Sequence, residues 1–244
     1  MAEPALIFDN LTLGYDRHPA VHHLGGAVRR GALLAIVGPN GGGKSTLLKA
    51  IAGRLAPLGG SITPGTRTLA YMPQIGDLSR DFPVSALDLA LTGLCSREGM
   101  FGGFSRRQRE SALTAIAAVG LAGFEGRSIR TLSGGQLQRL LFARMMLQDA
   151  ELILLDEPFT AIDTRTIEDL MVIVHRWHDE GRTVLAVLHD LDLVRHHFPE
   201  TLMLARDPLG WGPTAEILTP QRLADARRMA EAFDRNAAEC HRAA

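Results

Sequence analysis

Cysteine is scarce: Cys95 and Cys240 are the only two in 244 residues, too few and too far apart for a disulfide scaffold or a complete cysteine zinc site. That scarcity fits a reducing compartment, and the cytoplasm is the expected location. An excess of one charge is also lacking, since Lys+Arg 26 stand against Asp+Glu 27 for a formal net charge of -1. Binding to a phosphate backbone leaves a basic surplus in composition, so nucleic acid is not expected as a partner. No apolar run approaches the roughly eighteen residues of a membrane-spanning helix; the longest, around 152–155 and 184–188, have strand length. The opening Met1-Ala2-Glu3-Pro4 lacks the basic and then apolar stretches of a signal peptide. Any membrane role is therefore expected to be peripheral. What is present is apolar, because 46% hydrophobic residues suffice for a sizeable core and exclude a disordered chain.

The first forty residues read as strands. Leu6, Phe8, Leu11, Leu13 and Tyr15 approximately alternate, and 32–37 is a continuous apolar run ending at a glycine, as in a strand buried on both faces. A helix is expected over 44–52, turn residues at 57–60 and a short strand over 69–72. Between 84 and 126 the apolar spacing becomes helical, in Val84, Leu87 and Leu91 and again in Leu113, Ile116 and Val119, which predicts a helical subdomain at 84–134 inside a single domain spanning 1–244. From Gln136 onward the order is helix, strand 152–156, helix 165–180, strand 184–188, helix 191–198 and strand 201–205. Such alternation implies a parallel sheet covered by helices, an α/β fold. A last helix over 220–233 places Leu223, Ala226 and Ala230 on one face.

Three local patterns carry chemistry. Gly38-Pro39-Asn40-Gly41-Gly42-Gly43-Lys44-Ser45-Thr46 matches the phosphate-loop pattern G-x-x-x-x-G-K-[ST], directly after a predicted strand and before a predicted helix. Glycines let backbone N–H groups close around phosphate oxygens, the helix N-terminus adds a favourable dipole, Lys44 bridges the terminal phosphates and Ser45 can ligate Mg2+. Leu152-Ile153-Leu154-Leu155-Asp156-Glu157 is an apolar strand ending in two carboxylates, Asp156 suited to holding Mg2+ through its second coordination shell and Glu157 to polarising an attacking water. Read alone, the pair serves equally as a cap for the next turn. Leu132-Ser133-Gly134-Gly135-Gln136 places a hydroxyl and bare amides at a helix N-terminus. Alone it is an N-cap with glycines; beside a phosphate loop it is a second phosphate site. One nucleotide has one terminal phosphate, so this site is expected to serve a nucleotide held by another copy of the chain.

In this order the three motifs resemble the ATP-binding cassette family, and the resemblance covers almost the whole chain. It implies a P-loop NTPase core with a parallel sheet, an antiparallel β edge and an inserted α-helical subdomain, ATP and Mg2+ as cofactors, and a nucleotide-sandwich dimer beneath a membrane permease. Further residues acquire roles through the resemblance alone. Tyr15, in Gly14-Tyr15-Asp16, is similar to the aromatic that stacks on adenine, though by composition it is an edge-strand residue. Gln74, in Met72-Pro73-Gln74, resembles the glutamine loop that reaches Mg2+ and water. Asp163, in Thr160-Ala161-Ile162-Asp163, stands where the family's chain crosses the dimer interface. His189, in Leu188-His189-Asp190, resembles the switch histidine at the terminal phosphate; otherwise it is a cap at a strand end. Gly42 and Ile162 depart from the family's commoner alanine and leucine.

A narrower likeness, in the segment from Asp81-Phe82-Pro83 through Asp88 to Gly93 and in Leu147-Gln148-Asp149-Ala150 leading to Glu157-Pro158-Phe159, is to the zinc and manganese importer branch. It implies an ATPase subunit on the inner face of the plasma membrane, identical to its dimer partner, with separate permease subunits and an external solute-binding protein. Zinc is slightly preferred as cargo, with iron-chelate or other importers as the alternative. A soluble cassette ATPase of iron-sulfur assembly is a second alternative, and a nucleotide-gated module without turnover a third, which Glu157 disfavours. The doublets His22-His23, His175 with His178, His196-His197 and Cys240-His241 could ligate zinc, but no closed four-ligand set is visible. Arg106, Arg107 and Arg109 read as a solvated helix face.

Overall fold

The computed structural model describes residues 3–15, 18–78, 81–95, 103–160 and 162–233, the last four by backbone alone. Two compact units emerge: one built from the chain up to Leu69, Glu151–Asp156 and the described residues from Trp177 onward, the other from Ala70–Ala150 and Glu157–Arg176.

In the first unit, β1 (Pro4–Tyr15) pairs antiparallel with β2 (His18–Arg29). Leu6, Phe8, Leu11 and Leu13 are buried as the alternation predicts. The three-residue step from Phe8 to Leu11 is absorbed by a register shift at Asn10, whose φ is 44°; an extra residue in one strand resets which side chains face inward. Tyr15, the last of the series, is 51% exposed.

Strand β3 (Leu33–Val37) is buried at all five positions. It leads through the glycine loop into α1 (Lys44–Ile51). β4 (Gly59–Pro64) then pairs with the other edge of β1, where the sequence suggests only turn residues. Its side chains are mostly exposed, so no hydrophobic pattern announces it, and backbone pairing with β1 holds it in place. β5 (Leu69–Met72) follows.

The second unit contains α2 (Ala86–Leu91), α3 (Arg106–Ala118) and α4 (Gly134–Gln148), which pack on one another. Leu91, Ala112, Ile116, Leu140 and Leu141 are buried. A Cβ at Gly93 would lie 2.4 Å from the Arg144 carbonyl oxygen, so the segment after α2 approaches α4 closer than any larger residue allows. Phe142 is fully buried and stacks on Phe159, with centroids 6.0 Å apart and planes at 18°. Phe142→Ala should therefore lower the unfolding free energy by about 3–5 kcal/mol, from lost transfer energy and the cavity left behind. Urea titration of the variant checks this; a loss under about 1 kcal/mol would show that the site collapses freely.

After β6 (Leu152–Asp156), the chain forms α5 (Thr164–Asp179), β7 (Thr183–Val187), α6 (Leu191–His197) and β8 (Glu200–Ala205). These follow the alternation expected from the sequence to within one or two residues. Strands β6 and β7 are buried at every position. Parallel pairs run β6 with β7, β7 with β3 and β3 with β8. Strands covered on both faces have no solvent side, and this is why their sequences are continuously apolar.

β9 (Asp207–Pro213) completes the first unit's sheet by pairing antiparallel with β8, as the implied antiparallel edge requires. Its sequence, DPLGWGP, carries no strand pattern. Trp211 secures it: its ring lies 6.0 Å from that of Phe8, and a Cβ at Gly26 would come within 2.8 Å of it. The helices α7 (Thr214–Ile217) and α8 (Pro220–Phe233) follow. In α8, Leu223 is half-buried and Ala226 is buried, in keeping with the expected face; the side chain of Ala230 is outside the described residues.

Candidate functional site

The chain leaves β3 at Gly38, whose φ is 147° and whose Cβ, if it had one, would lie 1.9 Å from the Leu204 carbonyl oxygen. It enters α1 at Gly43, with φ 90° and a virtual Cβ 2.2 Å from the Ala20 carbonyl oxygen. Both ends of the loop therefore exclude a side chain on two grounds, conformation and space. Gly42 is confined too, since a Cβ there would meet the Leu204 and Pro39 carbonyl oxygens at 2.8 and 3.0 Å, which accounts for glycine where alanine is commoner. As N-cap of α1, Gly43 offers no side-chain acceptor to the amides of the first turn. Uncapped amides and the helix dipole together favour an anion.

Lys44 is buried, and its Nζ donates to the carbonyl oxygens of Gly38 at 2.9 Å and Pro39 at 2.8 Å. The loop, with Pro39, Asn40 and Gly41 at its crest, is thus folded around its own cation. Ser45 lies in the first turn of α1, and its hydroxyl donates to Oδ1 of Asp156 at 2.8 Å. Asp156 ends β6 fully buried. A hydroxyl and a carboxylate brought together across 111 residues make a hard oxygen pair, a donor set that fits Mg2+ with phosphate oxygens and water completing the shell. Thr46 follows on the same helix.

His189 comes two residues after β7 and is exposed. It lines a cavity of about 140 Å³ together with Gly38 and Pro39 of the loop and Leu223, Ala226 and Arg227 of α8. The first unit therefore brings the phosphate loop, Asp156 and His189 together. Tyr15 ends β1 with half its surface open, as a stacking platform must be. Sequence reasoning did not anticipate that α8 would line the cavity, because nothing local in 220–229 signals a neighbour so distant along the chain.

In the second unit, Glu157 follows Asp156 directly but has φ 50°, so the two carboxylates leave the chain in different directions. Its Oε2 accepts from the Thr160 hydroxyl at 3.3 Å, and its carbonyl oxygen accepts from Thr160 N–H at 3.4 Å. Gln74 is the half-buried residue before a 3-10 turn at Ile75–Asp77. Ser133 caps α4 in a reciprocal box: its hydroxyl accepts from Gln136 N–H at 3.2 Å, and Gln136 Oε1 accepts from Ser133 N–H at 2.9 Å. A capping role and a phosphate-binding role are thus compatible, because the box leaves the Gly134 and Gly135 amides between them uncapped.

Asp163 has a local task as well. Its Oδ1 accepts from Thr166 N–H at 3.0 Å and its Oδ2 from the Thr166 hydroxyl at 2.8 Å, capping α5. Those bonds, the backbone one first, hold its carboxyl below the usual value. Asp88, from the importer-like segment, is likewise a capping residue: Ser85 and Asp88 form a box at the start of α2. Phe82, in the same segment, is 65% exposed.

Among the described residues, no group of three or more His, Cys, Asp or Glu side chains is placed to hold a metal ion. The histidine doublets therefore gain no third ligand, and Cys240-His241 lies outside the described residues. Burial pushes the imidazole of His22 below its ordinary pKa, against the opposing pull of Asp207. Arg106 is solvated and pairs with Glu110 one turn on.

Residues 21–160 match the family model described as ABC transporter. The manganese transport system ATP-binding protein MntB of Bacillus subtilis is 36% identical over 222 residues, covering 88% of this chain and 89% of that protein. The zinc transport system ATP-binding protein TroB of Treponema pallidum is 35% identical over 224 residues, covering 89% and 84%. Among solved structures, an ABC transporter in an inward-facing conformation is 29% identical, with a TM-score of 0.82 over 93% of this chain and 90% of that one. An ATP-binding cassette in its ADP conformation, at 20% identity and a TM-score of 0.78 over 93% and 99%, shares the fold.

Proposed function

The chain belongs to the ABC transporter family, and from that premise we propose that it is the ATP-hydrolysing subunit of a zinc or manganese importer, energising a separate permease. It is a nucleotide-binding ATPase. No helix among the described residues is long and apolar enough to cross a membrane, and the proposed place of work is the inner face of the plasma membrane, docked on permease subunits that an external solute-binding protein supplies. One observation carries the cargo reading: relatives about one-third identical over nearly the whole chain bear names for manganese and for zinc transport.

In the proposed cycle, Tyr15 stacks on adenine, and the loop of Gly38, Pro39, Asn40, Gly41, Gly42 and Gly43 surrounds the phosphates, its backbone N–H groups coming from residues other than Pro39, which has none. Lys44 neutralises the terminal ones, with Thr46 beside them. Ser45 and Asp156 would hold Mg2+, with Gln74 reaching it and the attacking water; the ion supplies charge neutralisation at the transferred phosphoryl group. Glu157 orients and polarises the water, and His189 contacts the terminal phosphate. Ser133, Gly134, Gly135 and Gln136 come from the second copy in a homodimer, and Asp163 lies at the crossing between copies. ATP binding closes the two copies, and hydrolysis with product release reopens them. The segment after the glutamine loop carries the permease contact, with Phe82 exposed in it.

The cargo reading is tested in cells. Deleting the gene should impair growth under chelation and lower cellular zinc or manganese, measured by elemental analysis. Unchanged contents of both metals under starvation, in a strain without a redundant importer, would remove the cargo while leaving the ATPase standing.

A further inference from the structure

Gln138 lies two residues beyond the signature motif, on α4, and none of its surface is exposed. Its neighbours Leu137, Leu140 and Leu141 are buried leucines, so an apolar residue would suit its position. Its Nε2 donates to the carbonyl oxygen of Glu157 at 3.5 Å, while its Oε1 finds no hydrogen-bond partner among the described residues. A half-satisfied buried amide is costly. Core packing gives no reason to keep one; holding the Glu157 carbonyl does.

The carbonyl belongs to a residue in an unusual conformation. Glu157 has φ 50°, a left-handed backbone that a non-glycine residue keeps only when its surroundings enforce it. One turn along α4 from Gln138, Phe142 stacks on Phe159. Residues four apart share one face of a helix, so α4 grips the 157–160 turn at two points, a polar one at Glu157 and an aromatic one at Phe159. The direction of the Glu157 side chain follows from that backbone.

We propose that Gln138 is a positioning residue for Glu157, its buried amide holding the left-handed backbone that aims the Glu157 carboxylate. The inference rests on the reading of Glu157 as the group that polarises water. It also ties the two halves of the sandwich together within one chain: Ser133–Gln136 and Gln138 stand on the same rigid helix, so a partner's nucleotide seated on the signature amides bears on the residue that acts in hydrolysis.

A double-mutant cycle tests it. Gln138→Met keeps the volume and helix propensity while removing both the donor and the unpaired oxygen. In the full-length protein, kcat should fall about tenfold, as for a displaced reacting group, with KM for ATP changed less than about twofold. The Tm should not fall. In the Glu157→Gln background, single-turnover rates should drop less than about twofold further, because the residue through which Gln138 acts is already disabled. A kcat within twofold of the wild type overturns the proposal, and so does a tenfold loss that persists in the Glu157→Gln background. A Tm lowered by more than about 5 °C, well over 1 kcal/mol for a chain this long, would assign Gln138 to the core and also overturn it. Near-normal turnover in Glu157→Gln alone would instead sink the reading of Glu157 on which the proposal stands, and that arm is measured separately.

Discussion

Glu157→Gln should bind ATP as the unmodified chain does and hydrolyse it roughly two to four decades more slowly, the range spanned by loss of a positioned general base. The proposed phosphate cradle lies in other residues: the loop glycines, Lys44 with its bonds to Gly38 and Pro39, and the Ser45–Asp156 pair. None of these is altered by exchanging a carboxylate for an amide of nearly equal size. The exchange also leaves the backbone bonds of the turn in place, because the Glu157 carbonyl accepts from Thr160 and Gln138, and an amide oxygen can still accept the bond that the Thr160 hydroxyl donates to the carboxylate. Bound but unhydrolysed ATP should accumulate closed dimers, visible by sedimentation. Near-normal steady-state ATPase activity in the purified variant would remove Glu157 from its role.

Ser133→Arg should abolish ATP-driven dimerisation. A large cation at the first turn of α4 fills the space where the Gly134 and Gly135 amides would meet a partner's phosphates. The substitution also breaks the capping box, at a cost of about 1 kcal/mol, small beside the 5–15 kcal/mol typical of a folded domain. Ser133→Ala removes the cap without the bulk and should retain ATP-driven dimers, which separates the two effects. Lys44→Ala damages the other half of the shared pocket and should weaken ATP binding itself, because the charge that neutralises the terminal phosphates is gone. A mixture of Ser133→Arg with Lys44→Ala then leaves at most one intact site per heterodimer, the loop of the first facing the signature of the second. ATP-bound monomers hydrolysing at the full permease-coupled rate would refute the shared site.

Much of the proposed site is legible in the sequence because its chemistry is local. A phosphate cradle needs glycines, a lysine and a hydroxyl at set intervals between a strand and a helix, and all lie within nine consecutive residues. Asp156 and Glu157 were legible for a similar reason: charge at the end of an all-apolar strand contradicts its surroundings. Gln138 carries the same kind of signal, a polar residue set among leucines, but the sequence does not show that its position is buried. Asp163 and Asp88 also have local capping tasks that the resemblance does not imply: the Asp163 carboxylate accepts from Thr166 and the Asp88 carboxylate from Ser85, each three positions away on its own chain.

Strands β3, β6 and β7 follow from the sequence alone, since β3 is apolar at all five of its buried positions and β6 and β7 at four of theirs, and little else in a protein of this composition demands such runs. β4 and β9 do not follow from it. GGSITP and DPLGWGP favour turns by propensity, and they become strands because β1 and β8 present unpaired edges, and because Trp211 finds Phe8 and Gly26 some two hundred residues away. The same holds for the contact between Ser45 and Asp156 and for the left-handed backbone of Glu157. Periodicity records which face of a residue meets the core; it carries no record of which distant group it meets there, and packing settles that by burying surface and satisfying hydrogen bonds that no local segment can satisfy alone.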